Sequence, residues 1–217
     1  TSLESEHKIQ RVHGGAILVE QTDAFLSSNL EETALNAKTK QRIARWAAEM
    51  VEDGDAILMD ASTTVRFMVP FLEEHRRLTI ITNGLETARL LAKNPNHTVI
   101  LVGGIVSAGG NATTSLMGVN ILQNMYVRLA FVSAVGFSIQ TGLTERSLEE
   151  AQLKQAMLAS VQRKVALVDS SKLGRVGFAP FATPDEVYAL LTDSQIPTDF
   201  IQQMRAAHIN LTVCGEK

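Results

Sequence analysis

The chain has 217 residues, enough for one large domain or at most two small ones at about 100–200 residues per domain. Hydrophobic residues at 45% and charged residues at 20% exclude disorder, and 20 basic against 23 acidic side chains leave a net charge of −3, with no basic excess for nucleic acid. No apolar stretch reaches the roughly 18 residues of a membrane helix, no signal-peptide pattern opens the chain, and the single cysteine, Cys214, fits a reducing cytoplasm without disulfides.

Taken in chain order, Thr1 to Gln10 is polar, and Arg11-Val12-His13-Gly14-Gly15-Ala16 ends in a turn dipeptide. Ser27 to Lys40 is polar and weakly patterned, as a linker or loose arm would be. The expected boundaries are an opening segment 1–16, an arm 17–37 and a main domain 38–217. From Lys38, Ile43, Ala47, Met50 and Val51 recur at helical spacing, and Asp53-Gly54-Asp55 stops the helix. Seven short apolar runs follow: Ala56–Met59, Leu78–Ile81, Thr98–Val102, Leu129–Ser133, Val165–Val168, Val187–Leu191 and Asn210–Val213. Their apolar residues are consecutive rather than alternate, the habit of strands buried on both faces of a parallel sheet. Ser62–Leu72, Leu85–Ala92, Leu148–Arg163 and Thr198–Ala207 supply helical crossovers. The spacing predicts an α/β fold, doubly wound, with a mostly parallel sheet.

Such sheets bind ligands at the carboxyl ends of their strands. There the chain places Asp60-Ala61-Ser62-Thr63-Thr64, Thr82-Asn83-Gly84, Gly103-Gly104, Gly136 and Asp169-Ser170-Ser171-Lys172. Ser62, Thr63 and Thr64 bring three hydroxyls to a helix start, a cradle for phosphate or carboxylate, although one of them could simply cap the helix. Gly103-Gly104 could equally just turn the chain. No Gly-Lys-Ser/Thr and no GxGxxG occurs, which disfavours ATP and NAD sites. Lys154 falls inside the apolar arc of Leu153, Met157, Leu158 and Val161, so it must snorkel, pair with Glu150 one turn back, or meet an anion. Removing its charge while keeping the stem, as in Lys154→Met, is expected to change stability little or to raise it. Lys172 could reach the same crevice or lie solvated on its loop. Asp60 and Asp169 could bind sugar hydroxyls or hold loop NH groups. The five histidines, His7, His13, His75, His97 and His208, have no metal-ligand spacing with one another or with Cys214, and neither a metal nor a cofactor is expected.

The ordered set Asp60-x-Ser62-Thr63-Thr64, Thr82-Asn83, Leu101-Val102-Gly103-Gly104, Ser115-Leu116-Met117-Gly118, Ala130-Phe131 with Gly136, Gly142-Leu143-Thr144, Lys154 and Asp169-Ser170-Ser171-Lys172 resembles the effector domain of DeoR-type bacterial transcriptional repressors. The likeness runs from about Arg11 to Asp193, and Arg11 to Ala16 resembles the end of that family's winged helix-turn-helix. It implies a regulator of carbohydrate metabolism, not an enzyme, that senses a phosphorylated sugar on a fold shared with ribose-5-phosphate isomerase and CoA transferases. It further implies a homo-oligomer in the cytoplasm, reaching operator DNA through an N-terminal domain lying mostly before Thr1. By position, Asp60, Ser62, Thr63, Thr64, Asn83, Gly103, Gly104, Lys154 and Lys172 inherit the effector-binding role. Three residues depart from the family: Ala61 and Ser133 stand where glycine is usual, and Arg128 where aspartate is common. An isomerase-like enzyme on the same scaffold is the alternative, with Asp60, Glu145, Glu150 and Asp169 as candidate acids and bases.

Overall fold

Runs of consecutive apolar residues, too short for helices, pair here into one parallel sheet. The structure, a computed structural model, describes residues 9–12, 15–18, 36–107 and 111–215. The chain separates into two compact units, Thr1–Thr39 and Lys40–Lys217. In the first, β1 (Ile9–Val12) and β2 (Gly15–Leu18) pair antiparallel with Val12 opposite Gly15. The expected arm falls mostly on 19–35, outside the described residues.

A helix, α1, is described over 36–48. After it come β3 (Ala56–Met59), α2 (Thr63–Arg66), β4 (Thr79–Thr82), α3 (Leu85–Leu91), β5 (Thr98–Leu101), β6 (Ile105–Val106), β7 (Thr113–Thr114) and β8 (Val127–Val132). The remainder is β9 (Gly136–Ser138), β10 (Gly142–Glu145), α4 (Leu148–Leu158), β11 (Val161–Leu167), β12 (Ala179–Ala182), β13 (Val187–Asp193), α5 (Thr198–Ala206) and β14 (Leu211–Cys214).

Seven strands form the main sheet in the order β14-β13-β11-β8-β3-β4-β5, every neighbouring pair parallel. The fold is doubly wound α/β, as the pattern of apolar runs requires. Side chains alternate between faces along each strand, which explains why the runs are continuous. Ile57, Met59, Leu129, Phe131, Val165 and Leu167 pack on one face with Ile43 and Ala47 of α1. Leu58, Ala130, Val132 and Ala166 pack on the other with Leu153 and Met157 of α4 and Met204 of α5. Phe131 is fully buried at the sheet centre, and burying a side chain of that size contributes about 1.5–3 kcal/mol. Winding turns outward in both directions from the β3–β8 pair, the position at which such sheets open a crevice.

Two crossovers differ from expectation. Ser62–Leu72 breaks into α2 and a 3-10 turn, Val69–Leu72, because Pro70 has no NH to continue the helix. Leu148–Arg163 divides as well: α4 ends at Leu158, and Val161 already belongs to β11, opposite Val127 of β8. A three-stranded antiparallel sheet, β12-β10-β9, and the small β6–β7 pair are additions. Their sequences carry no apolar run that would announce them. Among the described residues no helix is long and apolar enough to cross a membrane.

Candidate functional site

The carboxyl ends of β3, β4 and β8 open onto a cleft of about 400 Å³, whose walls include Ser62, Thr63, Asn83, Thr114, Ser133, Glu145, Glu150, Lys154 and Lys172. A larger groove of about 600 Å³ runs past Phe67, Pro70, Leu90 and His97. That groove touches no strand carboxyl end and is mostly apolar, so the smaller, polar cleft is where hydrogen-bonding chemistry converges.

Asp60, directly after β3, is fully buried and ties the floor together. Its Oδ1 accepts from the Ser62 NH at 3.0 Å, and its Oδ2 accepts from the Ser133 NH at 2.9 Å and from Lys154 Nζ at 2.7 Å. Of the two roles open to Asp60, the structure has it holding loop NH groups. Lys154 Nζ also donates to Glu145 Oε1 and to the Ser133 carbonyl, both at 2.6 Å, and sits 4.9 Å from the centre of the Phe181 ring. Burial works against its charge, but the Asp60 and Glu145 carboxylates outweigh it and hold the pKa above the usual lysine value. Of the fates open to a lysine in the apolar arc, Lys154 pairs. The partners are Asp60 and Glu145, from β3 and β10, and no ion pair with Glu150 is among those of the described residues. Removing the ammonium would strand two buried carboxylates, which overturns the expectation of a small stability change.

The antiparallel sheet explains how Glu145 gets there. Thr144 Oγ1 donates to the Gly136 carbonyl at 3.0 Å and accepts from the Gly177 NH at 2.7 Å, and the Glu145 carbonyl accepts from the Phe178 NH at 2.8 Å. β10 is thereby clamped between β9 and β12 with its last carboxylate turned onto Lys154. On the same wall, partial desolvation and the neighbouring Glu145 carboxylate push the Glu150 carboxyl above its ordinary value.

At the helix start, Ser62 Oγ accepts from the Val65 NH at 3.4 Å, so it does cap α2. Thr63 is exposed on the cleft wall, whereas Thr64 is buried with its Oγ1 unpartnered and does not line the cleft. Lys172 lies 3.4 Å from Asp169 Oδ2, on a 3-10 turn (Ser170–Lys172) whose first NH donates to Asp193 Oδ2 at 2.7 Å.

Gly103 and Gly104 lie outside the cleft walls. A Cβ on Gly104 would meet the Thr114 carbonyl oxygen at 2.4 Å, and one on Gly118 would meet the Gly103 oxygen at 2.3 Å. These glycines let the β5–β6 turn and the segment after β7 approach backbone to backbone. β7 in turn braces Asn83: the Thr113 NH donates to the Asn83 carbonyl at 2.8 Å, and Asn83 Nδ2 donates to the Thr113 carbonyl at 3.1 Å.

Two polar atoms in the cleft residues remain unmet. Asn83 Oδ1 and Ser133 Oγ are buried without a hydrogen-bond partner in the protein. In the sequence Ser133 stands out only as a departure from glycine; its place directly after β8, next to the sheet's switch point, is the signal that marks it. Arg128, by contrast, stands at the opposite end of β8. It forms a two-pronged ion pair with Asp55 and donates to the Met50 carbonyl at 2.8 Å, so this departure does not touch the cleft.

Comparison with known proteins agrees with this geometry. Residues 35–194 match the family model of the DeoR C-terminal sensor domain. The HTH-type transcriptional regulator GolR of Listeria innocua is 36% identical over 196 residues, covering 90% of this chain and 77% of that protein. The glycerol-3-phosphate regulon repressor of Escherichia coli is 26% identical, covering 98% and 83%. Among solved structures, ribose 5-phosphate isomerase A of Neisseria gonorrhoeae is similar with a TM-score of 0.46 at 15% identity, covering 62% of this chain and 52% of that one. With three quarters of its length matched by that family's model and a 36% identical regulator aligned along most of it, the chain belongs to the DeoR sensor-domain family.

Proposed function

We propose that this chain is the sensing part of a transcriptional repressor of carbohydrate metabolism, and that a phosphorylated sugar or related metabolite occupies the cleft at the β3–β8 switch. The observation that carries the reading is the pair of unmet atoms, Asn83 Oδ1 and Ser133 Oγ. A buried polar atom without a partner costs about 1–3 kcal/mol. Asn83 Oδ1 can only accept, so the group that satisfies it is a donor, as sugar hydroxyls are. Other residues of the lining supply what an anion needs: the Thr63 hydroxyl at the start of α2 and the Lys172 ammonium. Lys154 completes the floor beside them. Asp60, Thr64, Gly103 and Gly104 serve this site as the frame that holds the contacting residues. The name of the Escherichia coli relative, a glycerol-3-phosphate regulon repressor, supports a phosphorylated effector.

The chain acts as a sensor and not as an isomerase. The relatives it aligns with are named as regulators, and the two most buried carboxylates of the cleft, Asp60 and Glu145, are both held by Lys154 and are poor candidates for a free general base. In the same reading the antiparallel β1–β2 pair is the end of a DNA-binding wing, residues 17–37 form the arm, and the effector domain begins near residue 38. Effector binding changes operator affinity only if one arrangement of the subunits binds it better than another.

The test is titration calorimetry of a panel of sugar phosphates against the parent chain and its Thr63→Ala and Asn83→Asp variants. Each substitution is expected to weaken the best ligand by about tenfold to a hundredfold, the value of one hydrogen bond to a charged or buried group. Variants that fold normally and bind every compound as well as the parent would remove the cleft assignment.

A further inference from the structure

We infer that the apolar groove between the 3-10 turn Val69–Leu72 and the end of α3 is a second ligand site, for a small molecule with an apolar body and a carboxylate head. The groove encloses about 600 Å³, within the ~300–1,000 Å³ of pockets that hold small ligands. It shares no lining residue with the polar cleft.

Its walls follow from two prolines and two tethers. Pro70 lies in the first turn of the 3-10 segment and Pro95 follows α3, and without an NH neither lets an α-helix continue across the gap. Asn94 Nδ2 donates to the Glu73 carbonyl at 3.0 Å, and His97 Nε2 lies 3.1 Å from the Leu72 carbonyl oxygen. These contacts pin the loop between α3 and β5 to the end of the 3-10 turn, so the groove is shaped before anything enters it. A site held in shape in advance loses less free energy to ordering on binding. Val69 and Leu91 are buried, Phe67 and Leu90 half-buried, and all four belong to the lining. An apolar body displaces water from such walls favourably, whereas sugar hydroxyls would be left short of partners there.

Charge chooses the head group. Arg66 and Lys93 line the groove, and neither side chain forms a hydrogen bond or ion pair among the described residues. Both lie near one carboxylate: the Arg89 hydrogen bond foremost, and the charges of Arg66 and Lys93 with it, hold the Glu86 carboxyl below its ordinary value. Each Glu86 oxygen already accepts from Arg89, at 2.8 and 2.6 Å. The donors of Arg66 and Lys93 are therefore left for another anion. Glu73 is the one acid of the lining, so the groove carries a positive excess on a chain whose net charge is −3. A guanidinium takes a carboxylate by two parallel hydrogen bonds. A polyanion such as nucleic acid would need a longer row of cations than these two.

The measurement is titration calorimetry of the intact chain with octanoate, 1-octanol and octylammonium, which share one apolar body and differ in the charge of the head. Octanoate is expected to bind one to one with a dissociation constant below about 1 mM. Octanol should bind at least about tenfold more weakly, the value of one charge-assisted hydrogen bond, and octylammonium more weakly still. Arg66→Met and Lys93→Met, made separately, keep the stems; each should weaken octanoate toward the level of octanol and leave octanol unchanged. Leu90→Gln should weaken both. Phe178→Ser, at an exposed apolar residue outside the groove, is the control for adsorption and should bind as the parent does. Thermal melts verify the fold of each variant, and amide NMR shifts caused by octanoate should fall at residues 66–73 and 90–97. No saturable octanoate binding overturns the inference. So do equal affinities for the three compounds, shifts outside those residues, or octanoate binding unaffected by both charge removals. Because the groove and the cleft share no residue, a failure here leaves the sugar-phosphate reading standing, and the reverse holds too.

Discussion

At the scale of single residues, the cleft is governed by Lys154. Its ammonium is the common partner of Asp60, directly after β3 of the main sheet, and Glu145, in β10 of the antiparallel sheet. Removing one member of a buried ion network costs about 3–5 kcal/mol, because the remaining charges lose their compensation. Lys154→Met is therefore expected to lower unfolding free energy by about that much in urea titration, even though methionine preserves the stem. A change under about 1 kcal/mol would show that Asp60 and Glu145 are adequately solvated without it. Lys154 is legible in the sequence as a cation in an apolar arc, but Glu150 is the one pairing partner the sequence offers for it, because helical spacing reports only neighbours on the same helix. Asp60 is 94 positions away in the chain, and only the sheet topology brings it close.

At the scale of elements, the main sheet was legible and the second sheet was not. A strand buried on both faces leaves a run of consecutive apolar residues, and the five inner strands of the parallel sheet, β13, β11, β8, β3 and β4, each carry one. β9, β10 and β12, reading GFS, GLTE and APFA, are held by backbone pairing and by the Thr144 hydroxyl, neither of which leaves a periodic trace. The glycines of the resemblance had a visible position but not a visible reason. Gly118→Ala would set a Cβ against the Gly103 oxygen at 2.3 Å, so it is expected to destabilise by about 1–3 kcal/mol as overpacking does, measured by thermal denaturation.

One element junction predicts a pH response. Glu186, at the end of the 3-10 turn Pro184–Glu186, accepts from the Thr183 NH at 2.9 Å and from Lys164 of β11 at 2.6 Å. These contacts, the Lys164 hydrogen bond foremost, lower its pKa to about 2, against about 4.3 in an unfolded chain. A carboxyl lowered in the folded state contributes stability that is complete above the unfolded value and is lost as pH falls through the folded one. Glu186→Gln should therefore narrow the stability difference between pH 5 and pH 2 in urea melts. Because the group is partly exposed, the effect is small; parallel pH profiles for parent and variant would show that the pair carries none of it.

At the scale of the whole molecule, a parallel sheet, a polar cleft at its switch point and membership of a sensor-domain family support the proposal that the cleft binds a phosphorylated sugar and returns it unchanged. Ligand at about 100 times its dissociation constant adds roughly 2.7 kcal/mol to folding stability. In a domain of this size that amounts to a rise of roughly 5–11 °C in melting temperature. The most direct measurement is a thermal-shift screen of sugar phosphates paired with their unphosphorylated counterparts, followed by NMR of the best compound after overnight incubation. A shift in that range is expected for a phosphorylated member, far less for its neutral counterpart, and a spectrum identical to the starting compound. A shift from neutral sugars alone, or an isomerised product in the tube, would contradict the proposal.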